Sequence, residues 1–147
     1  MCGISGLVDL RAGTSREGLE TLALAMADTM VHRGPDDHGI WVDAQAGIGL
    51  AQRRLSIIDL APTGHQPMHS RDERFTVVYN GEIYNYRALR TSLESSGRRF
   101  LGHSDTQCIT EGATTWGFEG VLERLNGMFA IALWDREQRT LHFARDR

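Results

Sequence analysis

The stretch Cys2-Gly3-Ile4-Ser5-Gly6 stands directly after Met1. If Met1 is removed, which a small second residue permits, Cys2 carries a thiol and a free α-amine on the same carbon. An α-amine titrates at about 7.7 to 8.0 and a thiol at about 8.5, so near neutral pH the amine can take the proton of the thiol. Position alone predicts either such a nucleophile or an ordinary cysteine after the initiator, and the rest of the chain decides between them.

The composition is typical of a globular protein of one domain. The 147 residues are 41% hydrophobic and 24% charged, with a net charge of -3, and a chain of this length can bury a real core. It has no basic stripe and no apolar run near the roughly 20 residues that cross a bilayer, so neither nucleic acid nor a membrane is expected as a partner. The N-terminus lacks a signal-peptide pattern, which predicts a cytoplasmic location.

The two cysteines are too few for a disulfide framework, and Cys108 is predicted to be a small buried hydrophobic residue. His65 and His69 flank Pro67, which excludes the helical spacing of paired metal ligands, so no metal site is predicted. The tryptophans are expected to fill the core: Trp41, Trp116 and Trp134.

The first half of the chain predicts three strands and a helix. Apolar runs predict strands over residues 4–10, 39–42 and 48–58. The capping-box spacing over residues 14–17 predicts a helix, whose apolar positions then recur with helical period: Leu19, Leu22, Ala23, Met26 and Met30. A Gly-Pro pair makes residues 32–37 a turn, and further Pro and Gly residues predict a long loop over residues 62–67.

The second half predicts strands, two helices and a closing hairpin. A strand over residues 75–79 is interrupted at Asn80-Gly81, which by itself is a strong hairpin signal. Asn85 is a candidate N-cap for a helix that stops at Gly97. A second capping pattern over residues 104–107 opens a helix that ends at residue 116, before Gly117. The last two strands are expected over residues 129–134 and 140–144.

Four segments carry a further signal in their order and separation: Cys2-Gly3-Ile4, His32-Arg33-Gly34-Pro35-Asp36, Arg54-Leu55-Ser56-Ile57-Ile58-Asp59 and Tyr79-Asn80-Gly81-Glu82-Ile83-Tyr84-Asn85. Shorter stretches extend the pattern: Gly64-His65-Gln66-Pro67-Met68, Ser104-Asp105, Leu125-Asn126-Gly127-Met128-Phe129-Ala130 and Ala144-Arg145-Asp146-Arg147. Together they resemble the glutaminase domain of glutamine-hydrolysing asparagine synthetases. These enzymes are class II glutamine amidotransferases and N-terminal nucleophile hydrolases.

The resemblance spans the whole chain and implies an α+β fold, a four-layer α/β/β/α sandwich of the N-terminal nucleophile hydrolase type. Residues 1–147 would form a glutamine amidotransferase type-2 domain that is incomplete at its C-terminus, with Met1 removed. Its activity would be the glutamine amidohydrolase half of an asparagine synthetase. A C-terminal synthetase domain, absent from this chain, would use ATP and Mg²⁺ to amidate aspartate, whereas the glutaminase half would need no cofactor.

The resemblance also assigns the catalytic residues. Cys2 would attack the side-chain carboxamide of L-glutamine and form a glutamyl thioester while ammonia leaves. The tetrahedral oxyanion needs preorganised donors, and the family supplies them from the positions of the Asn80 side-chain amide and the Gly81 backbone N–H. A hairpin turn at Asn80-Gly81 is the structural alternative.

The substrate's charged groups would be bound by the remaining motif residues. Arg54 matches the arginine that binds the α-carboxylate, although Arg53 lies beside it on the opposite strand face and alternation alone does not choose between them. Asp105, helped by Glu82, would hold the α-ammonium, with helix capping beside Ser104 as its alternative role. Supporting roles fall to the 32–36 motif: His32, Arg33, Pro35 and Asp36. The Gln107-Cys108 pair departs from the family pattern and bears on helix packing only.

Two other functions stay open from the sequence. The domain could supply ammonia to a different acceptor, as in sugar-phosphate or phosphoribosyl amidotransferases. Alternatively, the chain could be a truncated, non-catalytic module. L-Glutamine and a synthetase domain are the expected partners, and a homodimer is an open option.

Overall fold

The computed structural model describes residues 2–55 and 64–147, which form two compact units. The first contains residues 2–55 and 65–67, and the second contains Gly64 and residues 68–147. Each unit packs helices on an antiparallel sheet, as expected for the α+β class. The predicted end of the third strand at residue 58 and the 56–59 part of its motif lie outside the described residues.

The first unit is a three-stranded sheet covered by one helix. Its elements are β1 (Gly3–Val8), α1 (Arg16–Asp28), β2 (Asp37–Asp43) and β3 (Ile48–Arg54). The strand order is β1-β3-β2, with both pairings antiparallel. All four elements were predicted from the hydrophobic pattern, but β1 ends two residues early because the Asp9 carboxylate accepts hydrogen bonds from the backbone of Gly13 and Thr14 and begins a turn.

Helix α1 begins at a serine cap. Ser15 is the N-cap, and its hydroxyl accepts a hydrogen bond from the Gly18 N–H at 3.2 Å, one residue later than the capping box starts. The buried face of the helix is Leu19, Ala23 and Ala27, whereas the predicted positions Leu22 and Met26 are exposed. Small side chains on this face allow the helix to lie close to the sheet, where Ala23 and Ala27 cluster with Ala51.

The second unit is a four-stranded sheet with two helices on one face. Its elements are β4 (Met68–His69), β5 (Phe75–Ile83), α2 (Tyr86–Ser95), α3 (Thr106–Leu122), β6 (Gly127–Asp135) and β7 (Thr140–Arg145), and the strand order is β4-β5-β6-β7. Side chains of the sheet and of both helices form one buried cluster, which includes Val77, Tyr79, Leu93, Ile109 and Leu133. The two-residue strand β4 was not predicted, because it lies at the end of a stretch that reads as loop.

Strand β5 continues through Asn80-Gly81 without interruption. Its pairing with β6 runs from Phe75 opposite Asp135 to Ile83 opposite Gly127. The predicted break after residue 79 is therefore wrong, and so is the hairpin alternative for Asn80-Gly81. Glycine at position 81 allows β5 and β6 to approach closely, and it does not form a turn.

Helix α3 bends at the predicted stop residue. Gly117 has φ 74° and ψ 166°, which are not helical angles, so the first segment ends as predicted but a short second segment follows it. Cys108 is buried, as expected, and the neighbouring Gln107 accepts a hydrogen bond from the Leu101 N–H with its side-chain oxygen. Among α1, α2 and α3, the helices of the described residues, none combines the length and hydropathy that a membrane span requires.

The predicted core role of the tryptophans is confirmed in part. Trp134 on β6 is buried. Trp116 is partly buried and packs against the cluster of the second unit. Trp41 on β2 is partly exposed, because it alternates with residues that face α1 along a sheet with a helix on one side.

An ion pair fastens the β6–β7 turn to the start of β5. Asp135 is buried and accepts two hydrogen bonds from Arg74, at 3.0 Å from Nε and 2.7 Å from Nη2. Burial acts to raise the pKa of Asp135, but the hydrogen bonds from Arg74 and from the backbone of Gln138 and Glu137 outweigh it, so the pKa lies below its ordinary value. The ionised carboxylate is therefore the form that stabilises the fold.

We expect Asp135→Asn to lower the free energy of unfolding at neutral pH by about 2 to 3 kcal/mol, because it removes one charge of a buried pair. A depressed folded-state pKa contributes stability above the ordinary value of about 3.9 that is lost as the pH falls through the folded-state value. The difference in the free energy of unfolding between wild type and Asp135→Asn should therefore become smaller as the pH falls. Urea titrations at several pH values from pH 7 to pH 3 measure this difference.

Glu137→Gln is the matched control, since Glu137 pairs with the same arginine but is 68% exposed in its side chain. Its effect should stay within about 0.5 kcal/mol. Equal losses in the two variants, or a gap for Asp135→Asn that does not change with pH, would contradict the assignment.

Candidate active site

The predicted site residues fall into two groups, one in each unit. The first unit holds Cys2, Arg33, Asp36 and Arg54, and the second holds Asn80, Gly81, Glu82 and Asp105. Each group has its own geometry.

The end of β3 is the organising element of the first group. Gly3 on β1 lies opposite Arg53, so extending this register by one residue places Cys2 opposite Arg54. On the other side, Asp37 of β2 lies opposite Arg54. Residues opposite one another in antiparallel strands project from the same face of the sheet. Arg54 therefore lies between the predicted nucleophile and a carboxylate.

Contacts with Leu55 and Arg33 hold Cys2. The Leu55 backbone N–H donates to the Cys2 sulfur at 3.5 Å, and the thiol lies 4.0 Å from the Leu55 carbonyl oxygen. The Arg33 side chain donates from Nε to the Cys2 backbone oxygen at 3.3 Å. The thiol is partly buried. The supporting role predicted for Arg33 thus has a direct structural counterpart.

The neighbouring arginines of β3 have different partners. Arg53 forms an ion pair with Asp28 at the end of α1, and its side chain is only 12% exposed. Because alternate residues of a strand face opposite ways, Arg54 belongs to the face that lacks α1. Asp28 holds Arg53 on the helix side, whereas Arg54 shares the opposite face with its register partner Asp37, so the choice of Arg54 as the substrate-binding arginine stays a prediction.

The 32–37 turn holds the end of β3 in place. The Asp36 N–H donates to the Arg54 carbonyl oxygen at 3.1 Å. A Cβ atom on Gly34 would lie 2.4 Å from the Arg53 carbonyl carbon, so only glycine fits against this strand end. The predicted positioning role of the motif is consistent with these contacts, since Arg33 and Asp36 touch the backbone on both sides of the site.

In the second unit, Asn80, Gly81 and Glu82 lie on consecutive positions of β5. Tyr79 and Ile83 pack under the helices, so the side chains of Asn80 and Glu82 project from the opposite face. A Cβ atom on Gly81 would lie 2.1 Å from the Met128 carbonyl oxygen. Glycine is therefore required here by the close approach of β6.

Asp105 is bonded to β5 instead of capping its helix. Its Oδ2 accepts hydrogen bonds from the Tyr79 hydroxyl at 2.8 Å and from the Ile83 N–H at 3.0 Å. It occupies the N-cap position of α3 but makes no side-chain cap, and Ser104 accepts from the Thr106 N–H instead. The capping alternative for Asp105 is wrong. Within the part of the chain that the structure describes, its Oδ1 has no hydrogen-bond partner.

The second cysteine has the properties of an inert thiol. Cys108 is 1% exposed, and burial raises the pKa of its thiol to about 12. A thiol of this kind is protonated and shielded at physiological pH, so it is neither a nucleophile nor a ready metal ligand.

Sequence reasoning missed three contributors to these groups: Asp28, Leu55 and Tyr79. Leu55 acts through its backbone N–H, which leaves no side-chain signal. Asp28 and Tyr79 act through tertiary contacts with Arg53 and Asp105. For Asp28, the position in the last turn of a predicted helix was an available hint, whereas the Tyr79 contact required the packing of α3 on β5.

Both units combine helices with an antiparallel sheet, and Cys2 lies beside the end of β3 in the first of them. A family model described as "Glutamine amidotransferase domain" matches residues 1–147. The chain belongs to this family, as the sequence motifs predicted.

Relatives and a solved structure extend this result. The chain is 44% identical over 157 residues to a Mycobacterium tuberculosis (strain ATCC 25618 / H37Rv) protein named, provisionally, as a glutamine-hydrolyzing asparagine synthetase, covering 99% of this chain and 24% of that protein. It is 39% identical over 147 residues to glutamine-hydrolyzing asparagine synthetase 2 of Bacillus subtilis (strain 168), covering 100% of this chain and 19% of the relative. The chain thus spans about a fifth to a quarter of these relatives.

The solved structure is glutamine phosphoribosylpyrophosphate (PRPP) amidotransferase from B. subtilis complexed with ADP and GMP. It matches with a TM-score of 0.54 at 20% sequence identity, over 69% of this chain and 24% of that chain. A likeness at this identity concerns the fold. It confirms the predicted α+β fold.

We expect Gly81→Ala to destabilise the protein by roughly 2 kcal/mol or more, because the new methyl group meets the backbone of β6. Gly13→Ala is the matched control, since a Cβ atom at Gly13 has no neighbour within 4 Å. Its effect should stay within about 1 kcal/mol. Urea midpoints of both variants measure the difference, and equal midpoints would show that β5 and β6 do not approach as described.

The thiols should differ sharply in reactivity. Iodoacetamide at pH 8 should modify Cys2 more than about 100 times faster than Cys108, because only a thiolate reacts and Cys108 is buried and protonated. Peptide mass spectrometry after timed quenching locates the label. Cys2→Ser should take up no label when folded and one label in urea. Rapid labelling of Cys108 in the folded protein would contradict its burial.

Proposed function

We propose that this chain hydrolyses the side-chain amide of L-glutamine through a thioester on Cys2, and that the full-length protein uses the ammonia to amidate aspartate. The observation that carries this proposal is the arrangement at the end of β3, where the Leu55 N–H, one residue after Arg54, lies 3.5 Å from the Cys2 sulfur. The proposed nucleophile Cys2 and the cation Arg54 are then both at the end of β3. Membership of the glutamine amidotransferase family supports the same chemistry.

The proposed reaction has two halves. After removal of Met1, the α-amine of Cys2 takes the thiol proton, and the sulfur attacks the carboxamide carbon of glutamine. The tetrahedral oxyanion would be stabilised by the Asn80 amide and the Gly81 N–H. The ammonium form of the amine returns the proton to the departing nitrogen, ammonia leaves, and a glutamyl thioester remains. Water then cleaves the thioester, which releases glutamate and restores the thiol.

Substrate recognition is proposed to use both charged ends of glutamine. Arg54 would bind the α-carboxylate, for which a planar guanidinium is well matched. The Asp105 Oδ2 atom accepts the hydrogen bonds from Tyr79 and Ile83. Its Oδ1 atom would accept a hydrogen bond from the α-ammonium. Glu82 is exposed on β5 and would add a second negative charge. Amides without these two end groups should be poor substrates.

Aspartate is the acceptor that the relatives favour. The sequence matches at 44% and 39% identity carry asparagine synthetase names, whereas the PRPP amidotransferase is 20% identical and argues for the fold alone. ATP and Mg²⁺ would be used where aspartate is activated, in the part of the full-length protein that lies outside this chain. An amidotransferase with a phosphoribosyl acceptor is the second candidate. A cytoplasmic location and a homodimer stay predictions.

Cys2→Ala should abolish glutamine-dependent asparagine synthesis by the full-length protein and leave synthesis from ammonium salts within about twofold of wild type, since only the first half-reaction uses the thiol. Measurement of asparagine with each nitrogen source tests this. Intact-mass measurement of the same sample shows whether Met1 has been removed.

Cys108→Ala is the control, because Cys108 lies in the core of the second unit. It should keep both activities, apart from any loss of stability. Glutamine-dependent synthesis that survives in Cys2→Ala would contradict the thioester. Synthesis of an aminated sugar phosphate in place of asparagine would favour the second acceptor.

A further inference from the structure

Asp37 and His65 form a hydrogen-bonded pair that the catalytic proposal leaves unused. The Asp37 carboxylate lies at the start of β2, and its Oδ2 is 2.9 Å from Nδ1 of His65. The other oxygen accepts a hydrogen bond from the His38 N–H at 2.8 Å. Both carboxylate oxygens are therefore held, and the orientation of the group is defined by two different segments of the chain.

The segment that carries His65 lies directly on β2. A Cβ atom on Gly39 would lie 2.0 Å from the Gln66 carbonyl oxygen and 2.7 Å from Nε2 of His65. Glycine at this position thus allows the segment to lie against the strand and brings the imidazole to Asp37. Backbone packing thus brings together two side chains that are themselves partly exposed, 49% for His65 and 38% for Asp37.

Asp37 also faces Arg54. The two residues are direct partners in the β2–β3 register, so their Cβ atoms are about 5 Å apart on one face of the sheet. Burial acts to raise the pKa of Asp37, but hydrogen bonds from His65 and His38 and the charges of His65 and Arg54 outweigh it and lower the pKa. Asp37 is accordingly ionised at neutral pH and attracts the Arg54 guanidinium.

Two neighbouring residues make contacts of their own around this strand end. Arg53 faces the opposite side of the sheet and pairs with Asp28. Asp36 contacts Arg54 through its backbone N–H, which fixes the main chain of the strand end. A guanidinium has five N–H donors, so a carboxylate on one side of Arg54 leaves donors for a second carboxylate.

We propose that Asp37 and His65 are positioning residues for substrate binding: His65 fixes the Asp37 carboxylate, and Asp37 orients the Arg54 guanidinium toward the α-carboxylate of glutamine. This inference rests on the proposed glutaminase function and on the role of Arg54 within it. It assigns to the pair an effect on glutamine affinity and none on the attack by Cys2.

The test is steady-state glutamine hydrolysis by the full-length protein. Asp37→Asn should raise the KM for glutamine about threefold to fivefold, the size expected for a partly exposed charged pair, and leave kcat within about twofold. His65→Gln should have the same effect, because its amide is placed nearer the Nε2 position. His65→Asn places an amide donor near the Nδ1 position and should restore a KM close to wild type.

A substrate comparison separates positioning from general damage. With L-glutamine α-amide, whose α-carboxylate is replaced by a neutral group, Asp37→Asn should have no effect on kcat/KM, since the orientation of Arg54 no longer matters. Glu20→Gln, which alters an exposed pair on α1, should match wild type with both substrates. Urea midpoints of all variants show that the comparison concerns folded proteins.

Three outcomes would overturn the inference: an unchanged KM in Asp37→Asn and His65→Gln, an equal penalty with glutamine and its α-amide, or a fall in kcat alone. These outcomes differ from a failure of the proposed function. In that case Cys2→Ala would still hydrolyse glutamine, whatever the KM values of the Asp37 and His65 variants.

Discussion

The pairing of β3 with strands on both of its sides is the constraint on which the candidate chemistry depends. A central strand must satisfy the registers of β1 and β2 together, and a slip of one residue would move every side chain to the other face. The register with β2 places Asp37 opposite Arg54, and the register with β1 ends at Gly3 opposite Arg53, one residue from Cys2. Helix α1 strengthens this choice, because its pair between Asp28 and Arg53 binds the adjacent arginine on the opposite face.

Backbone contacts contribute as much to the site as side chains do. The Leu55 N–H reaches the Cys2 sulfur, and the Ile83 N–H holds Asp105. Glycines permit close approaches at Gly34, Gly39 and Gly81. At Gly34 and Gly39 a loop lies against a neighbouring strand, and at Gly81 two paired strands approach closely.

Much of the fold could be predicted from the sequence, because hydrophobic periodicity and capping residues act locally. The helix after Ser15 and the strands around residues 40, 50, 131 and 142 follow from such signals. Errors arose where tertiary packing decides. Asn80-Gly81 has the composition of a turn but lies inside β5, since β6 requires glycine there. Leu22 and Met26 are exposed because the face with alanines packs closer to the sheet.

For the site, the sequence identified the family and its motif residues but not their orientation. The alternation of side chains along a strand could not decide whether Arg53 or Arg54 binds the α-carboxylate. For Asp105, helix capping was an alternative to substrate binding. Long-range contacts show the partners of these residues, Asp28 for Arg53 and Tyr79 for Asp105. Pairing of His65 with Asp37 across 28 positions of sequence likewise has no local signal.

The proposed function depends on cleavage of glutamine through a covalent bond to the sulfur of Cys2. Rapid acid quenching of the full-length protein during turnover of glutamine, followed by peptide mass spectrometry, detects such a bond. We expect one glutamyl group on the peptide that begins with Cys2 and none on the peptide that contains Cys108. Steady release of ammonia with no glutamyl adduct at Cys2, or with an adduct on another residue, would contradict it.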